Sequence, residues 1–186
     1  MNVTDEQAAQ AVTTLLHYLG EDPTRNGLLN TPGRVARALK EMTQGYEQDP
    51  KEILKTTFEV TFDEMVVLKG VRFQSLCEHH LLPFTGVAHV GYIPGVRVVG
   101  LSKMARLVQC FAKRLQVQER LANQVAQALM EHLDAKGVGV VIEAKHSCMA
   151  HRGATQPDAE MITAVMLGVL RENSKARTEF LRHIGR

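Results

Sequence analysis

The sequence is poor in cysteine, with 3 in 186 residues. So small and odd a number argues against a disulfide framework and leaves Cys77, Cys110 and Cys148 as thiols free to bind metal or simply to pack. No apolar run approaches the roughly 20 residues that span a bilayer, so no membrane partner is expected. The first ten residues are polar and acidic and lack the charged start and apolar middle of a signal peptide, so the expected location is cytoplasmic. Charge of one sign is also missing. The formal net charge is +2, too small to argue for nucleic acid on bulk electrostatics, although a local basic cluster can still hold a small anion. There is no internal repeat and no low-complexity segment. What is present is an ordinary globular balance, 45% hydrophobic and 23% charged residues, enough to bury a core.

The patterning divides the chain in two. Thr4 opens a capping box with Gln7, and Ala8, Val12, Leu15, Leu16 and Leu19 follow at helical spacing until Gly20. After a loop over 21–29, Thr31 reads as a cap and Pro32 as the first helical residue. Val35, Ala38, Leu39 and Met42 form the buried stripe of that helix, and Gly45 stops it. Residues 1–50 are thus expected as an N-terminal helical arm and 51–186 as the main domain. From Thr57 the period changes to two. Phe58, Val60 and Phe62 alternate with polar neighbours, and 66–68, 71–76 and 87–92 are further strands, punctuated by Gly70, Pro83 and Pro94-Gly95. Short links favour an antiparallel sheet. Ser102 reads as the cap of a helix whose stripe is Met104, Val108, Phe111 and Leu115, with Lys103, Arg106, Cys110 and Lys113 on another side. A second helix runs from Leu121 to Leu133, a strand over 137–146, another from Ile162 towards Leu170, and a last helix from Ser174. The expected fold class is α+β, helices packed on an antiparallel sheet.

Cys77-Glu78-His79-His80 is the first segment loaded with chemistry. A cysteine and a histidine three apart on a tight turn can address one ion, and thiolate and imidazole are preferred zinc ligands. Cys148 follows His146 at the end of a strand and is the candidate third ligand, leaving one position for water. Spacing alone leaves open that these thiols are only buried and that the histidines only cap turns.

At this point the sequence resembles the GTP cyclohydrolase I family. The resemblance is carried by Cys77 to Phe84, His89 to Pro94, Gly100 to Lys103, Arg114 to Arg120, His146 to Met149 and Arg152-Gly153, with Gly20 to Pro23 and Thr31 to Ala36 matching its N-terminal pattern. It implies a tunnelling fold, in which sheets and paired helices of several subunits close into a barrel, and a homo-oligomer, typically a decamer, with active sites between subunits. It implies Zn2+ on Cys77, His80 and Cys148, and the conversion of GTP to formate and 7,8-dihydroneopterin triphosphate, the first step of tetrahydrofolate synthesis. His146 is implied as the proton donor to guanine N7, His79 as a second catalytic histidine, and Ser102 as a residue near the ribose. Glu119, beside Val117 and Gln118, is implied in guanine recognition, and Lys103, Arg106 and Arg152 in binding the triphosphate.

The match weakens after Gly153. The family's usual lysine is Gln156 here, and Asp158 and Glu160 stand where small or hydroxylic residues are usual. Two other readings stay open on the sequence. One is a divergent paralogue that stops part-way or takes another guanine nucleotide. The other is a non-catalytic zinc scaffold, whose site needs a fourth protein ligand such as His79 or His146.

Overall fold

A computed structural model describes residues 3–59 and 61–186. Val60, expected in the first strand, lies outside the described residues. The chain forms two compact units, one reaching to Gln44 and one from Gly45 to Arg186. In the first, α1 (Asp5–Tyr18) and α2 (Thr31–Met42) pack together. Thr4 and Gln7 make the expected reciprocal capping box. The cap of α2 is Asn30 rather than Thr31, because the Arg34 N–H already donates to the Asn30 carbonyl. Val35, Leu39 and Met42 are only half-buried and Ala38 is exposed. α2 ends at Met42, ahead of Gly45, which lies in a 3-10 turn, Gln44–Glu47.

The second unit begins with α3 (Pro50–Leu54) and β1 (Thr57–Glu59). β2 (Val66–Cys77) and β3 (Pro83–Ile93) follow, then β4 (Arg97–Val99), α4 (Leu101–Ala112) and β5 (Leu115–Gln116). After α5 (Gln118–Leu133) come β6 (Gly137–His146), α6 (Ser147–Ala150), β7 (Met161–Gly168), α7 (Val169–Glu172) and α8 (Ser174–Ile184). β1 and β4 pair as a ribbon, and the main sheet has the order β5-β2-β3-β6-β7. All its pairs are antiparallel except β5, which runs parallel to β2, with Leu115 opposite Leu76 and Gln116 opposite Cys77. The two strands expected over 66–76 are one. The register shifts between Leu68 and Val71, and Gly70 adopts φ +78°, so Gly70 marks a bulge rather than a break.

Helices α4 and α5 cover one face of the sheet. Met104, Val108 and Phe111 are buried there with Leu121, Val125 and Leu129, against Ala88, Val90, Val140 and Ile142. Leu115 leaves the expected stripe because α4 has ended, and it pairs in β5. Cys110, on another side of α4 from the apolar stripe, is fully buried, because the segment Gly45–Gln48 covers that side and its carbonyls face the thiol. Ser102 is not the cap of α4. Gly100 holds that position in an extended conformation and accepts the Lys103 N–H, which leaves Ser102 inside the first turn.

The opposite face receives α8. Gly91 of β3 pairs with Gly139 of β6. A Cβ would come within 2.7 Å of the Phe180 ring at Gly91 and 2.8 Å at Gly139. The absent side chains form the seat of that ring. His89 is also buried on the sheet, at 6% exposure. Its Nδ1 accepts the N–H of Gly70 at 3.3 Å, which ties the bulge to the neighbouring strand, and its Nε2 lies 3.8 Å from Glu143.

Candidate metal centre and active site

One end of the sheet gathers the close of β2, the start of β3, the close of β6 and the start of β7. Cys77 ends β2. The chain turns back at once, with the Leu81 N–H donating to the Cys77 carbonyl at 2.8 Å and the Cys77 N–H to the Leu82 carbonyl at 2.8 Å. This turn folds His79 and His80 back, so that their Nδ1 atoms lie 3.9 and 4.0 Å from the Cys77 sulfur. Cys148 arrives from the other direction, in the turn of helix directly after β6. Ligand atoms of Cys77, His80 and Cys148 all lie within 4.8 Å of one another. The spacing that joined Cys77 to His80 on one turn therefore holds, and the tertiary step that brings Cys148 to them comes from strand order.

The donor set suits a zinc-like dication. Burial pushes the Cys148 thiol up, and the neighbouring Cys77 pushes it further in the same direction, since two thiolates side by side repel. A cation between them removes that repulsion, and two thiolates with one imidazole are preferred zinc donors. Among the described residues the clustered set has three members, fewer than the four protein ligands of a closed structural site. Arg152 reaches the same place, its Nη1 3.2 Å from Nε2 of His80.

His146 closes β6 beside this cluster. Its ring lies flat on Phe84, centroids 4.5 Å apart at 4°. Its Nε2 is 2.8 Å from Oε1 of Gln118. Burial pushes its pKa down, and the nearby Glu119 carboxylate partly offsets this. With Cys148, Met149 and Met161 it lines a cavity of about 310 Å3. Val117 caps α5, and Glu119 stands exposed in its first turn, where a carboxylate is favoured by the helix dipole. Gln118, expected as a substrate contact, turns its side chain inwards. It is 1% exposed, and its amide is bonded to Ile142, Met161, Thr163 and His146. What it still offers a ligand is backbone.

Ser102, Lys103 and Arg106 are not brought to this end. Gln109 donates to the Arg72 carbonyl, which sets its level along β2. The seven residues back to Ser102 descend about 10 Å at ~1.5 Å each, and the five from Arg72 up to Cys77 rise about 16 Å at ~3.3 Å each. Within one chain Ser102 and the metal cluster are thus separated by on the order of 25 Å. All three side chains are wholly or partly exposed.

Some contributors escape the sequence reading. Glu78 pairs with Arg120, and Arg120 Nε also donates to Oε1 of buried Gln116. The Glu78 N–H donates to the Gln116 carbonyl. These contacts fasten the metal turn to the start of α5. Phe84 and Thr163 complete the surroundings of His146 and Gln118. Both partners of the ion pair lie within recognised blocks, but nothing in their spacing announces the contact.

A profile of the GTP cyclohydrolase I family matches residues 8–185. A GTP cyclohydrolase 1 of Synechococcus sp. is 54% identical over 181 residues, covering 97% of this chain and 79% of that protein. One of Coxiella burnetii is 52% identical over 174 residues, covering 93% and 95%. One of Campylobacter jejuni is 54% identical over 170 residues, covering 91% and 90%. With the metal cluster, His146 and the first turn of α5 assembled at one end of the sheet, and with the match running through all of them, the chain belongs to the GTP cyclohydrolase I family.

Proposed function

We propose that this protein is a GTP cyclohydrolase I that takes GTP and one net water to formate and 7,8-dihydroneopterin triphosphate. The observation that carries the reading is the convergence of Cys77, His80 and Cys148 beside His146 and Glu119. Cys77, His80 and Cys148 would hold a zinc ion, which would supply Lewis acidity near neutral pH. His146 gives a proton to guanine N7, which makes C8 electrophilic, and recovers one later. His79, next to a ligand and beside the thiol, orients water or relays protons. The Glu119 carboxylate accepts N1–H and the N2 amino group of guanine as a bidentate pair that adenine cannot offer, while Val117 and Gln118 contribute backbone.

Arg152 binds the triphosphate from the metal end, and Lys103 and Arg106 bind it as cations on one face of α4. Ser102 serves the ribose, whose opened form rearranges before the new ring closes with loss of water. Because Ser102, Lys103 and Arg106 lie at the far end of the same sheet, the complete site draws them from a second copy. A homo-oligomer, in the family's manner a decamer, supplies that copy. The free edge of β7 and the exposed Leu81, Leu101, Met149 and Ile162 support such an assembly. Among the described residues no helix is long and apolar enough to cross a membrane, and the expected setting is the cytoplasm, without nucleic acid.

The test assays formate and pterin together from GTP and zinc-loaded protein, with a chelator control and Cys148→Ser. One formate per pterin, lost in both controls, is the expected result. Formate without pterin points to the partial reaction of a divergent paralogue. Neither product from folded, zinc-containing protein overturns the assignment.

A further inference from the structure

Gln118 is a buried polar side chain with no freedom left. Its Nε2 lies 3.0 Å from the carbonyl oxygen of Ile142 and 2.9 Å from that of Met161, with the Thr163 hydroxyl at 3.2 Å. Backbone carbonyls only accept hydrogen bonds, so the amide nitrogen must face them. The flipped amide would set its oxygen against two others at the same distances. The orientation of Oε1 is thereby fixed, 2.8 Å from Nε2 of His146. An amide oxygen only accepts, so His146 Nε2 must carry a hydrogen. Phe84, stacked at 4° to the ring, holds its plane while Gln118 holds its edge.

We infer that Gln118 is a positioning residue that fixes His146 as the Nε2–H tautomer, so that Nδ1 is the nitrogen that exchanges a proton with the substrate. The inference rests on the reading of His146 as the proton donor. In the step, the Nδ1–H bond of the imidazolium breaks and its electron pair stays on Nδ1. Guanine N7 gains the proton, and the positive charge passes to the purine. The Nε2 hydrogen stays on His146 throughout, donated to Oε1 of Gln118. Gln118 also joins the first residue of α5 to β6 and β7, so the helix start that carries Glu119 and the strand end that carries His146 are set by one side chain.

The tautomer is read directly from 15N spectra of zinc-loaded protein labelled at histidine, with His146 assigned by its loss in His146→Asn. The expected neutral form has a protonated Nε2 and a bare Nδ1, and the Nδ1–H form overturns the proposal. Gln118→Met keeps the length of the side chain and removes the acceptor. It is expected to populate the Nδ1–H form and to lower kcat about tenfold or more while KM stays within about twofold. A variant that folds, binds zinc and keeps its kcat, or that raises KM alone as a lost substrate contact would, also overturns it. If Gln118→Met does not fold, the spectrum of the unaltered protein decides. Full ring opening by His146→Asn would remove the proton-donor reading and the Nδ1 role with it, while the spectrum still reports the tautomer by itself.

Discussion

His89 shows how one buried side chain ties stability to pH. Burial holds its pKa below the ordinary value of about 6.5, and Lys69 and Arg186 add to that shift while Glu143 opposes it. The folded state therefore binds this proton less readily than the unfolded chain. Above about pH 6.5 both states are neutral and the contribution is intact, and it is lost as the pH falls below that value. The expected outcome is that His89→Gln shows a shallower loss of stability between about pH 7.5 and 5.5 than the unaltered protein, measured by urea unfolding at both. Equal slopes would sink the idea. No sequence signal assigned His89 a role, because its partner Gly70 is recognisable only once the bulge brings it across the strand. His146 and Cys148 were legible as residue types, and Gln118 was legible as a matched position. The direction in which the Gln118 amide points was not, since that depends on two carbonyls of β6 and β7.

At the scale of elements, the contact between the metal turn and α5 carries the next prediction. Glu78 and Arg120 are both partly exposed, which limits what the pair alone contributes. Arg120 also bonds buried Gln116, which in turn bonds the Phe111 carbonyl and Gln124, so its loss loosens several contacts. Arg120→Leu is expected to weaken zinc binding about tenfold in chelator competition, as loss of groups that orient ligands does. Arg97→Leu, which breaks the ion pair with Asp134 away from the site, is expected to leave it unchanged. Most elements were visible in their periodicity, including β6 over its full length and α5 to Leu133. The failures occurred where backbone hydrogen bonds decide. Gly70 reads as punctuation but forms a bulge, and Ser102 reads as a cap although the Gly100 carbonyl has already begun the helix.

For the whole molecule, the separation of the predicted site into two ends of one sheet leads to a complementation test. Cys148→Ser and Arg106→Ala proteins are each expected to be nearly inactive. Oligomers formed from both are expected to regain activity, because some sites then draw an intact metal end from one copy and an intact α4 from the other. Mixed oligomers as inactive as their parents would mean that the site is not shared. No sequence pattern could reveal this division, since Cys77 and the pair Ser102 and Lys103 all belong to matched blocks and only the direction of α4 along β2 separates them. Stability of the unit depends in turn on α8. Phe180 is fully buried, and Phe180→Ala is expected to cost about 3–5 kcal/mol in the unfolding free energy. The seat of that ring has a further consequence for descent. Gly91, Gly139 and Phe180 share one volume, so none of the three can drift by itself. Among relatives, a methyl gained at Gly91 should travel with a smaller residue on the terminal helix, and one gained at Gly139 should need smaller residues both there and at Leu170, so these sites should be inherited together.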